Sequence, residues 1–131
     1  MKILIVDDRA ETKCKEIMEQ CEKRYIDVEI EKAINPALNF LFHEKNYVDG
    51  IILDMGLSLY KDEKQFNPNG GDRILRELKR RKYNIPVLIF SEIESNEKEE
   101  CDFVFDQLYN WGIKEEESKF YAFLEKLEEQ S

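Results

Sequence analysis

Three aspartates and one serine each stand directly after a short apolar run. Asp7 and Asp8 follow Ile3-Leu-Ile-Val6, Asp54 follows Gly50-Ile-Ile-Leu53, and Ser91 follows Ile85-Pro-Val-Leu-Ile-Phe90. Continuous β-branched runs of this length read as strands buried on both faces, as in a parallel sheet. In open parallel sheets, ligands bind outside the carboxyl ends of the strands. If the first and third of these strands are neighbours, three carboxylates converge on one spot. Like charges that close raise each other's pKa unless a cation lies between them. Oxygen ligands from one or two carboxylates, completed by water, suit Mg²⁺. A divalent ion beside a free carboxylate neutralises a phosphoryl group and presents it to a nucleophilic aspartate. The Ser91 hydroxyl and the Lys114 ammonium are then the groups expected to hold the phosphoryl oxygens, since such catalysis is mostly positioning and charge neutralisation. An acid after a strand also serves as a helix N-cap, and Asp8 alone would fit that plain role. Three acids and a hydroxyl, all at strand ends in chain order, fit it poorly.

The elements that must position these groups alternate. After the first strand, residues from about Ala10 to Tyr25 carry a helical pattern, with Cys14, Ile17, Met18, Cys21 and Tyr25 recurring at three and four. Val28-Glu-Ile-Glu31 reads as a second strand. Asn35 as N-cap and Pro36 at the first helical position open a helix with Ala37, Leu38, Leu41 and Phe42 on its apolar side. The third strand precedes a loop from Met55 to about Gly71, long for a connection in which about two to six residues is usual. Asp72 is expected to cap a helix through Lys79, with Ile74, Leu75 and Leu78 inward. The stretch Cys101 to Gly112 reads as strand or helix, and a last amphipathic helix runs from about Glu116 to Glu129. The order βαβαβαβ means an α/β fold with a parallel sheet. Right-handed crossovers put helices on both faces.

Charge and composition exclude several classes. The chain has 131 residues, the length of one domain, and a formal net charge of −9. Such a domain repels a free duplex or an anionic membrane surface, so neither nucleic acid nor membrane is an expected direct partner. The basic run Lys79-Arg80-Arg81-Lys82 ends a predicted helix, where cations favour the dipole. Cys14, Cys21 and Cys101 match no zinc spacing, and an odd count argues against a disulfide framework. With no signal peptide and no apolar run near about 20 residues, a cytoplasmic location is expected. His43, the one histidine, falls on no site and reads as structural.

These residues resemble the receiver domain of two-component response regulators. The carrying segments are Ile3-Leu-Ile-Val-Asp-Asp8, Gly50-Ile-Ile-Leu-Asp-Met55, Gly70-Gly71 leading into Ile74-Leu75-Arg-Glu-Leu78-Lys79, and Ile85-Pro-Val-Leu-Ile-Phe-Ser91. They are collinear over nearly the whole chain. The resemblance implies a flavodoxin-like, doubly wound, five-stranded parallel sheet in the order 2-1-3-4-5, forming one domain over residues 1–131. It implies Asp54 as phosphoacceptor and Mg²⁺ held by Asp7, Asp8, Asp54 and the main-chain carbonyl of Gly56. Ser91 would contact the phosphoryl group and move on activation, with Lys114 as the phosphate-binding lysine. A histidine kinase or histidine phosphotransfer protein would be the donor. The signal would pass to a downstream protein or to an output domain absent from this chain. Such a domain is not an enzyme beyond its own phosphotransfer and dephosphorylation.

The chain also departs from the pattern. Ser58 stands where the family usually has proline, and the loop at 55–71 is expanded. Lys114 is followed by Glu115 rather than proline, and Trp111 or Tyr109 could fill the aromatic switch position. A receiver-like interaction module that is not phosphorylated is therefore the alternative. A phosphatase with an aspartate nucleophile needs Asp-x-Asp after the first strand, and Arg9 cannot serve as that second acid.

Overall fold

The computed structural model describes residues 1–61, 67–91, 95–96, 103–106 and 114–130, with side chains at 103–106 and 114–118 outside that description. In chain order the elements are β1 (Lys2–Val6), α1 (Ala10–Lys13), α2 (Lys15–Lys23), β2 (Asp27–Glu31), α3 (Ile34–Leu38) with a π-helical turn at Asn39–His43, and β3 (Gly50–Leu53). They continue with α4 (Gly70–Arg80), β4 (Val87–Ser91), β5 (Phe103–Asp106) and α5 (Lys114–Gln130). The core strands run β2-β1-β3-β4, all parallel, and β5 pairs with β4 at the edge, giving the order β2-β1-β3-β4-β5. The parallel α/β expectation holds.

Strand alternation builds two cores. Leu4, Val6, Ile51, Leu53 and Ile89 face α3 and α4, where Ile34, Ala37, Ile74, Leu75 and Leu78 meet them. Ile3, Ile5, Ile52, Leu88 and Phe90 face α1, α2 and α5, where Ile17, Cys21, Phe120, Phe123, Leu124 and Leu127 meet them. Strands buried on both faces must be apolar throughout, which is why β1, β3 and β4 show no polar alternation.

Several local expectations are corrected. The first helical stretch is broken at Cys14 (φ −103°, ψ 19°), so α1 and α2 are separate segments. Tyr25 does not join the apolar face. It is 91% exposed with φ 58°. The Ile26 N–H donates to Cys21 O and the Tyr25 N–H to Glu22 O, a Schellman stop with tyrosine in the left-handed position that usually takes glycine. α3 starts at Ile34 without a side-chain cap from Asn35. The N–H groups of Ile34 and Asn35 donate instead to the carbonyls of Ser58 and Leu59, each at 2.9 Å, so the loop after β3 caps the helix. α4 starts at Gly70 rather than Asp72.

The long loop is pinched at its base. Leu57 and Asn67 exchange two main-chain hydrogen bonds of 3.1 and 2.9 Å as an antiparallel bridge. Beyond the pinch Gly71 returns to β3, its N–H donating to Met55 O at 2.9 Å. A Cβ on Gly71 would collide with the Asp54 carbonyl and crowd the Met55 backbone. Gly71→Ala is therefore expected to lower stability by about 1–3 kcal/mol, as overpacking against backbone does. Urea unfolding checks this, and an unchanged midpoint would contradict the close approach.

Candidate metal and phosphoryl site

β1 and β3 are neighbours in register, Val6 opposite Leu53, so Asp7 and Asp54 leave the sheet side by side. The Asp54 N–H donates to Val6 O at 3.0 Å and fixes that juxtaposition. Asp7, Asp8 and Asp54 each offer a carboxylate oxygen within 4.8 Å of the others; Asp7 and Asp54 are buried and Asp8 is exposed. Asp7 Oδ1 accepts from the Arg9 N–H at 2.9 Å, so Asp7, not Asp8, supports the turn into α1. Gly56 lies half-buried in the same loop, two residues beyond Asp54. β4 adjoins β3, and Ser91 ends it. The Met55 N–H donates to Asp54 Oδ1 at 2.8 Å and to Ser91 Oγ at 3.2 Å, which sets the hydroxyl beside the acceptor loop. Hard oxygen donors in this number fit a divalent cation such as Mg²⁺.

A cation from the chain itself already lies among them. Lys13 Nζ is 2.8 Å from Asp7 Oδ2 and 3.2 Å from Asp54 Oδ1, with its side chain 3% exposed. It also stands 5.3 Å from the centroid of the Phe90 ring, a cation–π distance. The break at Cys14 ends α1 directly after Lys13. Sequence reasoning passed over this residue, although Ala10, Lys13 and Ile17 lie on one helical face. A lysine inside a buried stripe, just past two acids, was the available signal.

β5 does not run into Lys114. The strand ends at Asp106, level with Ser91, and Lys114 is the first residue of α5. Its side chain, with Cys101, Tyr109 and Trp111, lies outside the described residues. Among the described side chains, the ammonium on Asp54 is that of Lys13.

Burial pushes the Asp7 carboxyl above its ordinary range. Lys13 pulls it back in part, and the charge of Asp54 adds to the rise. Burial also pushes the Cys14 thiol up, with Asp7 adding to it; Cys14 Sγ is 3.9 Å from Asp7 Oδ2 and is no thiolate nucleophile. Asp72, fully buried, accepts from the Ser95 hydroxyl and, at 3.0 Å, from the Asn96 N–H. It thus ties the chain beyond β4 to the start of α4. A surface hollow of about 700 Å³ opens elsewhere, between Pro36, Phe42, Tyr60 and Arg81.

No family model and no curated protein matches the chain. Solved structures do. The receiver domain of Francisella response regulator 1452 is 22% identical, with TM-score 0.67 over 95% of this chain and 96% of that one. The BeF3-activated receiver domain of Klebsiella pneumoniae RstA is 20% identical, with TM-score 0.65 over 95% and 98%. Thermotoga maritima TrrA, in complex with Mg²⁺ and BeF, is 16% identical, with TM-score 0.63 over 91% and 97%. The chain has the receiver-domain fold, as its sequence resemblance implied. Among the described residues no helix is long and apolar enough to cross a membrane.

A carboxyl whose folded pKa is raised binds its proton more tightly in the folded state. Asp7 therefore contributes stability at low pH that is lost as pH rises from its ordinary 3.8 through the raised value. In metal-free buffer, the stability of Asp7→Asn relative to wild type is expected to grow with pH across that window. Parallel denaturation curves would contradict this.

Proposed function

We propose that the chain is a receiver domain over residues 1–131 that accepts a phosphoryl group on Asp54 and signals through a conformational change. The carrying observation is the convergence of Asp7, Asp8 and Asp54 at the carboxyl edge of β1 and β3, with the Ser91 hydroxyl bonded to the same loop. Receiver folds similar to this one carry Mg²⁺ and BeF in the Thermotoga protein, which supports the same chemistry here.

In this reading an Asp54 oxygen attacks phosphorus as the phosphorus–nitrogen bond of a donor phosphohistidine breaks, and the electron pair leaves on the imidazole. Mg²⁺, held by Asp7, Asp8, Asp54 and the Gly56 carbonyl, would neutralise charge on the transferring group. Ser91 donates its hydroxyl hydrogen to a phosphoryl oxygen, pulling the end of β4 toward the acceptor. An ammonium balances the remaining charge; among the described side chains that of Lys13 stands on Asp54, and Lys114 is the other candidate. The donor is a histidine kinase or a histidine phosphotransfer protein in the cytoplasm. The altered face of β4, β5 and α5 then meets a downstream protein or output domain.

One observation favours a second reading, a receiver-like interaction module that is never phosphorylated. Lys13 already pairs with both buried acids, so part of their charge is offset without a metal. Under that reading Asp54→Ala leaves partner binding unchanged.

Acetyl phosphate or beryllium fluoride with Mg²⁺ is expected to shift the amide resonances of Met55 and Ser91, and Asp54→Ala is expected to abolish the shift. Unchanged spectra at millimolar Mg²⁺ would sink the phosphoreceiver reading.

A further inference from the structure

We infer that Lys13 is a built-in counter-cation that shares its place with the divalent ion, so that metal binding requires its ammonium to leave the two acids. This rests on the receiver reading and adds a gate to it. The Lys13 ammonium contacts an oxygen of Asp7 and an oxygen of Asp54, two of the three carboxylates available to a metal. Magnesium–oxygen distances are about 2.0–2.1 Å, and a cation bound that tightly to the same carboxylates leaves no room for an ammonium between them. Two cations so close would also repel strongly in a buried pocket. The lysine is held from behind as well as in front. The Phe90 ring lies beneath Nζ, and the chain turns at Cys14 immediately after it. α1, which carries Lys13, is fixed against the sheet by Ala10, and α2 beyond the break by Ile17, both fully buried.

Lys13 therefore performs two tasks. Without metal it prevents Asp7 and Asp54 from facing each other as unpaired buried charges. With metal it is released, and a flexible four-carbon stem anchored beside Asp54 leaves its ammonium within the pocket mouth, where a phosphoryl group on Asp54 would arrive. The cost of displacement lowers apparent metal affinity by the fraction of molecules in which the lysine is in place.

The test is a Mg²⁺ titration of the full chain, followed by the Met55 amide resonance, alongside thermal midpoints in EDTA and in Mg²⁺. Lys13→Met is expected to bind Mg²⁺ at least about tenfold more tightly than wild type, because the competing cation is gone. It is also expected to melt lower than wild type in EDTA and to gain more from Mg²⁺, since ligand binding stabilises the folded state in proportion to affinity. Lys13→Arg, which keeps the charge, should stay close to wild type in affinity. If Lys13→Met proves unfolded in EDTA, the same titration on Lys13→Gln carries the comparison. Equal or weaker affinity in the neutral variants would overturn the gate and leave the receiver reading intact. Absence of Mg²⁺ binding in wild type and variants alike would overturn both.

Discussion

A parallel sheet brings its strand ends together, and here it brings together negative charge. The hydrogen bond from the Asp54 N–H to Val6 O forces Asp7 and Asp54 to leave the core side by side, both buried. Two ionised carboxylates so placed are tolerable only with a cation between them. In this chain the cation is an ammonium delivered from α1. The short α1, the break at Cys14 and the aromatic ring of Phe90 all serve its placement. Deeper packing follows from the same geometry, because the strands that carry these acids must be apolar on both faces to run so far inside.

The surroundings of the acceptor are correspondingly tight. Gly71 is packed directly on the backbone at Asp54, so the extra chain after β3 cannot be absorbed near the acid. It is instead closed off by the Leu57–Asn67 bridge, and its near arm is spent on capping α3 through Ser58 and Leu59. The buried Asp72 gives α4 a direct link to the chain beyond Ser91. A displacement at the end of β4 would therefore be felt at α4 as well as at the edge strand.

Much of the architecture was legible in the sequence, for physical reasons that can be named. Continuous apolar runs ending in acids marked β1 and β3, and one ending in a hydroxyl marked β4, because a strand buried on both faces leaves no alternation to mislead. The apolar face of α5 was equally plain in Phe120, Phe123, Leu124 and Leu127. Helix starts were less legible. The α3 cap comes from carbonyls far along the chain, and α4 begins on two glycines, so neither start bears the usual side-chain signal. Tyr25 misled because its spacing continued the helical pattern into a left-handed stop. Asp7, Asp8, Asp54 and Ser91, which the structure brings to one edge of the sheet, were legible because each sits at a strand end. Lys13 was not. A lysine on a helix reads as solvent-facing, and only the depth of the acids beside it turns it inward.

One buried ammonium between two acids holds this strand edge together, and lysine-selective ¹⁵N NMR of the metal-free protein observes that group directly. A Lys13 ammonium signal protected from solvent exchange, and lost from that state when Asp7 is changed to Asn, is the predicted result. A Lys13 ammonium that exchanges as freely as those of exposed lysines would contradict it.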